Sequence, residues 1–228
     1  MRPLLLILLL LIRPLQATFA ATAGPDEALT VLLAGNAVWG QDNRPLQPHR
    51  EAAYARAHAK EQHPFAAVVS CMDSRGGSPE QIFDQGVGDL FSIRNGGNVI
   101  TPEVAASLEY AVLHGTRLII IMGHTRCGAI GEACKADWAK RMKKPENIPT
   151  ANLGKLINRI GVIESKDVEK CAAESVDDNV SRQIDELSRQ SPLIAGELKK
   201  GRVKVVGMRY DVDTLKATLL MTPRSSQD

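Results

Sequence analysis

Aromatic residues are scarce in this chain of 228 residues: four Phe, three Tyr and two Trp amount to 4% of it. Its core must therefore be built from Leu, Ile, Val and Ala, and no array of rings is present on which the bases of single-stranded nucleic acid could stack. Net charge is also nearly absent, at +2, so there is no electrostatic case for a nucleic-acid partner. No apolar run approaches the ~20 residues that span a bilayer. Only four cysteines occur, at 71, 127, 134 and 171, and none form a Cys-x-x-Cys pair. That absence argues against a dithiol redox motif and against the paired knuckles of structural zinc sites. There is no internal repeat.

What is present begins with a leader. Arg2 is followed by an unbroken apolar run over residues 4–12 and then by the small residues Ala17, Ala20, Ala21 and Ala23. This order is that of a secretory signal peptide. It predicts a signal over residues 1–20, cut after Ala20 or alternatively after Ala23, and export to the periplasm or the medium with no stable membrane insertion after cleavage. Residues 24–228 would then form a single domain. The leader holds Arg2 and Arg13 and no acid, so its removal takes the 28 basic residues down by two, level with the 26 acidic ones. The slight basicity belongs to the targeting segment.

Residues 26–60 have a helical pattern interrupted by Gly35-Asn36, Pro45 and Pro48, which predicts at least two helices. Short apolar runs at 65–70, 90–93, 118–122 and 203–206 read as buried strands. Between them, 79–84, 102–114 and 176–188 read as helices, while 135–170 reads as polar and irregular with one helix near 153–160. Strands alternating with helices predict an α/β fold: a central, mostly parallel sheet flanked by helices, with an N-terminal helical arm. Ligands in such sheets gather at the carboxyl ends of the strands. Cys71 and Asp73 lie just past the first strand, Arg94 and Asn95 past the second, and His124 and Cys127 past the third.

A lone Cys after a strand is ordinarily a small buried apolar residue, and a lone His in a loop is ordinarily at the surface. Four metal-capable side chains at two strand ends are a different matter. Two thiolates and one imidazole suit zinc, and a set of two Cys and one His leaves a fourth position open, as catalytic zinc sites do.

The segments Cys71-Met72-Asp73-Ser74-Arg75 and Gly123-His124-Thr125-Arg126-Cys127-Gly128 resemble the two signature motifs of β-class carbonic anhydrases. Matches continue in Gly88-Asp89-Leu90-Phe91, Ile93-Arg94-Asn95, Leu108-Glu109-Tyr110-Ala111-Val112, Asp178-Asn179-Val180 and Val206-Gly207-Met208-Arg209-Tyr210-Asp211, over roughly residues 33–220. The resemblance implies one Zn²⁺ per chain, held by Cys71, His124 and Cys127, and hydration of carbon dioxide to bicarbonate and a proton by attack of a zinc-bound hydroxide. It implies that the Asp73–Arg75 dyad orients that hydroxide, with Asp73 moving onto the metal as a fourth ligand in a closed state. Gln62 resembles a residue whose amide donates to substrate across a dimer interface, so a homodimer or homotetramer is expected. Gly128, opening the helix after the metal loop, could offer its backbone N–H to an oxyanion.

Arg94 and Tyr210 resemble a bicarbonate pocket of the allosteric subgroup, but that subgroup carries Trp where this chain has Val68. The expectation is therefore the non-allosteric, exported subgroup, with Arg94 and Tyr210 structural. Departures from the family pattern fall at Gly76 and Gly77, which lengthen the loop after the first motif, and at Leu215 near the end. His49, His58, His63 and His114 have no partner at ligand spacing and read as surface residues. Intact Asp73, Arg75 and Gln62 favour carbon dioxide over carbon disulfide or carbonyl sulfide, and over a zinc-stabilised binding protein. The two remaining cysteines, Cys134 and Cys171, would be free to form a disulfide in an oxidising compartment.

Overall fold

Strand β1 (Ala66–Cys71) is buried at all six positions and β3 (Leu118–His124) at all seven, as befits neighbouring strands of a parallel sheet covered on both faces. They pair in parallel with Ala66 opposite Leu118. Strand β2 (Leu90–Asn95) flanks β1, and β4 (Lys204–Tyr210) flanks β3, both parallel. A short β5 (Ala217–Leu219) runs antiparallel to β4, and the order is β2-β1-β3-β4-β5. The computed structural model describes residues 24–41, 52–57, 59–143 and 148–220. The leader, with its cleavage alternatives at Ala20 and Ala23, and His49 and His58 lie outside the described residues. The α/β class and the four parallel strands agree with the sequence reading.

Eight helices complete the described residues: α1 (Pro25–Trp39), α2 (Ala52–Ala57), α3 (Pro79–Ile82), α4 (Pro102–Leu113), α5 (Gly128–Arg141), α6 (Ala151–Ile157), α7 (Val168–Gln190) and α8 (Pro192–Lys199). Their starts follow from side chains that satisfy orphan backbone donors. Ser78 and Gln81 form a reciprocal capping box on α3, Thr101 accepts from Val104 N on α4, and Ser191 accepts from Ile194 N on α8, each with Pro in the first turn. Side-chain alternation divides the sheet into two buried faces. Ala67, Val69, Ile119, Ile121 and Val205 pack on α4, α7 and α8 through Val104, Leu108, Val180, Ile184 and Ile194. Ala66, Val68, Leu118, Ile120 and Val206 pack on α1 and the corner after α3 through Ala28, Leu29, Leu32, Ile82 and Phe83.

Three expectations are corrected. Gly35-Asn36 does not break a helix; α1 runs through it. A Cβ on Gly35 would lie 1.8 Å from the Phe83 carbonyl oxygen, so Gly there permits contact between α1 and the Phe83 corner. The buried Asn36 amide donates to the Ile82 and Leu215 carbonyls and accepts from Ala217 N, tying three segments together. Residues 135–141 are not irregular but complete α5, whose Lys135–Glu132 and Arg141–Asp137 pairs sit at helical spacing. Helix α7 begins at Val168 rather than 176, because Asp167 accepts from Glu169 N and Lys170 N. Among the described residues, no helix is long and apolar enough to cross a membrane.

Cys134 of α5 and Cys171 of α7 are joined by a disulfide with Cα atoms 6.0 Å apart and a sequence separation of 37. The bridge lies in a small core with Val99, Ile130, Ile157, Ile160 and Val176. In the chain-entropy account, closing a loop of this length stabilises by about 3–4 kcal/mol. Replacing both cysteines with Ala is expected to lower unfolding stability by about that amount while leaving metal uptake intact. Denaturant melts paired with metal analysis would check it, and an unchanged melt would show that the bridge contributes nothing.

Candidate metal centre

Where β1 and β3 end side by side, three ligand-bearing residues converge. Cys71 is the last residue of β1, His124 the last of β3, and Cys127 the residue preceding the first turn of α5. All three are buried, and their ligand atoms lie within 4.8 Å of one another. The two Sγ atoms are 3.8 Å apart. Two thiolates about 2.3 Å from one zinc at a tetrahedral angle would be separated by about 3.8 Å. His124 Nδ1 lies 3.0 Å from the Thr125 carbonyl oxygen, so this nitrogen carries the proton and donates. Its Nε2 is therefore a bare lone pair, and it is buried with no hydrogen-bond partner. A buried acceptor left empty is costly, and a zinc ion is the partner its surroundings are suited to. The donor set, the sulfur spacing and the orphaned nitrogen all fit zinc.

The hydrogen bond between the two thiols, helped by the contact with His124, outweighs burial and pulls the Cys71 thiol down. The same hydrogen bond, with burial, drives Cys127 up. Two thiolates side by side in a buried site repel each other, and a divalent ion between them is what would allow both to ionise.

Asp73 stands beside this trio, with Oδ2 3.9 Å from His124 Nε2. Arg75 holds it by a two-pronged contact: Nε donates to Oδ1 at 3.0 Å and Nη2 donates to Oδ2 at 2.7 Å. The Arg75 backbone N–H also donates to Oδ1, because Asp73 caps the 3₁₀ turn Ser74–Gly76. Arg75 Nη2 reaches further to the Arg126 carbonyl, fastening the first motif to the second. These bonds, the Arg75 side chain foremost, hold the Asp73 carboxyl far below the usual carboxylate range.

The family model described as carbonic anhydrase matches residues 66–217, two thirds of the chain. The chain belongs to the carbonic anhydrase family. It is 32% identical to a carbonic anhydrase of Mycolicibacterium smegmatis over 197 residues, covering 82% of this chain and 89% of that one. It is 30% identical to carbonic anhydrase 2 of Mycobacterium tuberculosis over 180 residues, covering 77% and 84%. Among solved structures, the β-carbonic anhydrase CcaA matches with a TM-score of 0.54 and 26% identity, over 76% of this chain and 84% of that one.

In this carbonic anhydrase the other singled-out residues have varied places. Arg94 and Tyr210 are engaged in scaffolding. Arg94 donates to the Cys71 and Asp73 carbonyls, and the Tyr210 hydroxyl accepts from Trp39 Nε1 at 2.9 Å. Gly76 is buried with room beside it, and Gly77 has φ +66° in the link before α3, a conformation that favours glycine. Gly128 opens α5, has no left-handed φ, and faces open space where a Cβ would be. Gln62 is exposed and precedes β1 at the end opposite the metal ligands. Since the strand alone separates its ends by about 17 Å, this chain does not bring its own Gln62 to the site. His63 lies beside Glu61 and His114 stacks on Tyr110, both away from the ligand trio.

The sequence reading missed Thr125, whose carbonyl sets the His124 tautomer, and Gly97, whose N–H donates to Cys71 Sγ at 3.4 Å. Gly97 follows β2 by two residues, and no local pattern marks it as part of the site.

Proposed function

We propose that this chain is a β-class carbonic anhydrase that reversibly hydrates carbon dioxide to bicarbonate and a proton, with one zinc ion held by Cys71, His124 and Cys127. The observation that supports it most is the bare, buried Nε2 of His124 set against two thiols at zinc spacing. Zinc, when bound, supplies the acidity that makes water a nucleophile near neutral pH. The chain supplies the rest. Asp73, kept ionised by Arg75, accepts a hydrogen bond from the attacking water and turns its lone pair toward the carbon of the substrate. Both Asp73 oxygens are committed to Arg75, which favours an open state over one with Asp73 as a fourth ligand. The N-terminus of α5 at Gly128 offers N–H groups to the oxygen on which charge develops. Metal analysis with carbon dioxide hydration assays, before and after zinc removal, tests this reading. Equal rates with and without metal would overturn it.

The open state also fits a non-allosteric enzyme, since Arg94 and Tyr210 already have structural partners and Val68 stands where that subgroup carries Trp. Residues 1–20 act as a signal peptide in this proposal, and the Cys134–Cys171 disulfide supports maturation in an oxidising compartment, periplasmic or extracellular.

The active unit is a homodimer or homotetramer. The edge strand β2 and α4 carry Phe91, Ile93, Tyr110 and Leu113 as a partly exposed apolar face, with Leu113 69% exposed, the kind of patch that a partner covers. Gln62 would enter the site from that partner. Light scattering is expected to give twice or four times the protomer mass, and an active monomer at micromolar concentration would refute the assembly.

A further inference from the structure

Helix α7 presents an apolar stripe of Val176, Val180, Ile184 and Leu187 to the sheet, yet two fully buried amides, Asn179 and Gln183, sit one turn apart on the same helix. Buried amides on a packed helix are costly unless every polar atom is used. Here each is. Asn179 Nδ2 donates to the Gly97 carbonyl at 2.9 Å, and its Oδ1 accepts from Gly161 N at 2.9 Å and from Gln183 Nε2 at 3.1 Å. Gln183 Nε2 also donates to the Arg159 carbonyl, and its Oε1 accepts from Ile100 N, both at 2.8 Å. The segment from Gly97 to Ile100 is thus tied at both ends to α7. Gly97 itself has φ +72°, and Ile160 closes over it, 2.8 Å from where a Cβ would be. Its other hydrogen bond is the N–H donated to Cys71 Sγ.

We infer that Asn179, braced by Gln183, is a positioning residue for the metal centre: it grips the Gly97 carbonyl so that the Gly97 N–H stays aimed at the Cys71 sulfur. This rests on the reading of Cys71, His124 and Cys127 as the zinc ligands. An N–H directed at a thiolate fixes its orientation and spreads its charge, and loss of such outer partners costs about 10–100-fold in metal affinity. Asn179→Asp keeps an acceptor for Gly161 N but has no donor for the Gly97 carbonyl; Asn179→Ser is too short to reach it. Ile184→Ala loosens the same helix without touching Gly97 and serves as the control.

The experiment is competition for zinc between each purified protein and a chelator of known affinity, with the cobalt(II) form read by its thiolate absorption band. Asn179→Asp and Asn179→Ser are expected to bind zinc about 10–100-fold more weakly and to show a shifted cobalt band, while Ile184→Ala matches wild type in both. A folded Asn179→Asp or Asn179→Ser with wild-type affinity and spectrum overturns the inference. So does an Ile184→Ala that loses as much, since that would be general destabilisation. Wild-type protein that takes up no zinc would defeat the underlying ligand assignment instead.

Discussion

Cys71→Ser is expected to release the metal and abolish carbon dioxide hydration. Cys71 ends β1 with its sulfur 3.8 Å from that of Cys127, and the trio contains no spare ligand. A hydroxyl is a far poorer partner than a thiolate for a borderline-soft cation. The loss should exceed the about 10–100-fold that accompanies removal of an outer-sphere partner. Metal analysis after gel filtration in the presence of a chelator reads the effect directly. The Cys134,Cys171→Ala double variant is the natural comparison: it should melt earlier yet carry a full complement of zinc. A Cys71→Ser protein with full zinc would remove Cys71 from the ligand set.

Asp73→Asn and Arg75→Ala are expected to slow hydration by about 10²–10³-fold, the range seen when one preorganised polar group is removed from an active site, with zinc still bound. Asn has nearly the shape of Asp but cannot accept from both Arg75 donors and carries no charge. Arg75→Ala frees the Asp73 carboxylate, whose Oδ2 already lies 3.9 Å from His124 Nε2. Arg75→Lys should recover little, because an ammonium cannot reproduce the two parallel N–H bonds that the guanidinium makes to the carboxylate. Stopped-flow hydration at matched zinc occupancy checks both variants, and wild-type rates in either would end the dyad's role.

The parallel strands and the candidate trio were legible in the sequence because each is marked locally. Apolar runs mark buried strands, and Cys71, His124 and Cys127 sit within three residues of strand ends. Helix α5 was half lost because Lys135, Asp137, Lys140 and Arg141 make its second half polar; here helical spacing of opposite charges was the signal to follow. The early start of α7 was also written locally, in Asp167 ahead of Val168. The remainder was not legible, because it depends on contacts between segments far apart in sequence. Gly35 gave the appearance of a breaker, and only the approach of Phe83 shows its use. The roles of Asn179 and Gln183 appear only once Gly97, Arg159 and Gly161 are placed beside them.

The pairing of β1 directly with β3 carries a kinetic consequence. Cys71 and His124 are brought together by a parallel ladder in which Ala66 faces Leu118, so no hairpin can nucleate the contact, and such non-local pairing is slow. Cys71 alone on one strand, or His124 with Cys127 beyond the other, offers fewer ligands than the three together, so tight zinc capture must wait for those two central strands to align. The rate at which refolding protein withdraws zinc from a fluorescent indicator should therefore time the zipping of β1 onto β3, making the metal a stopwatch for the central step of assembly.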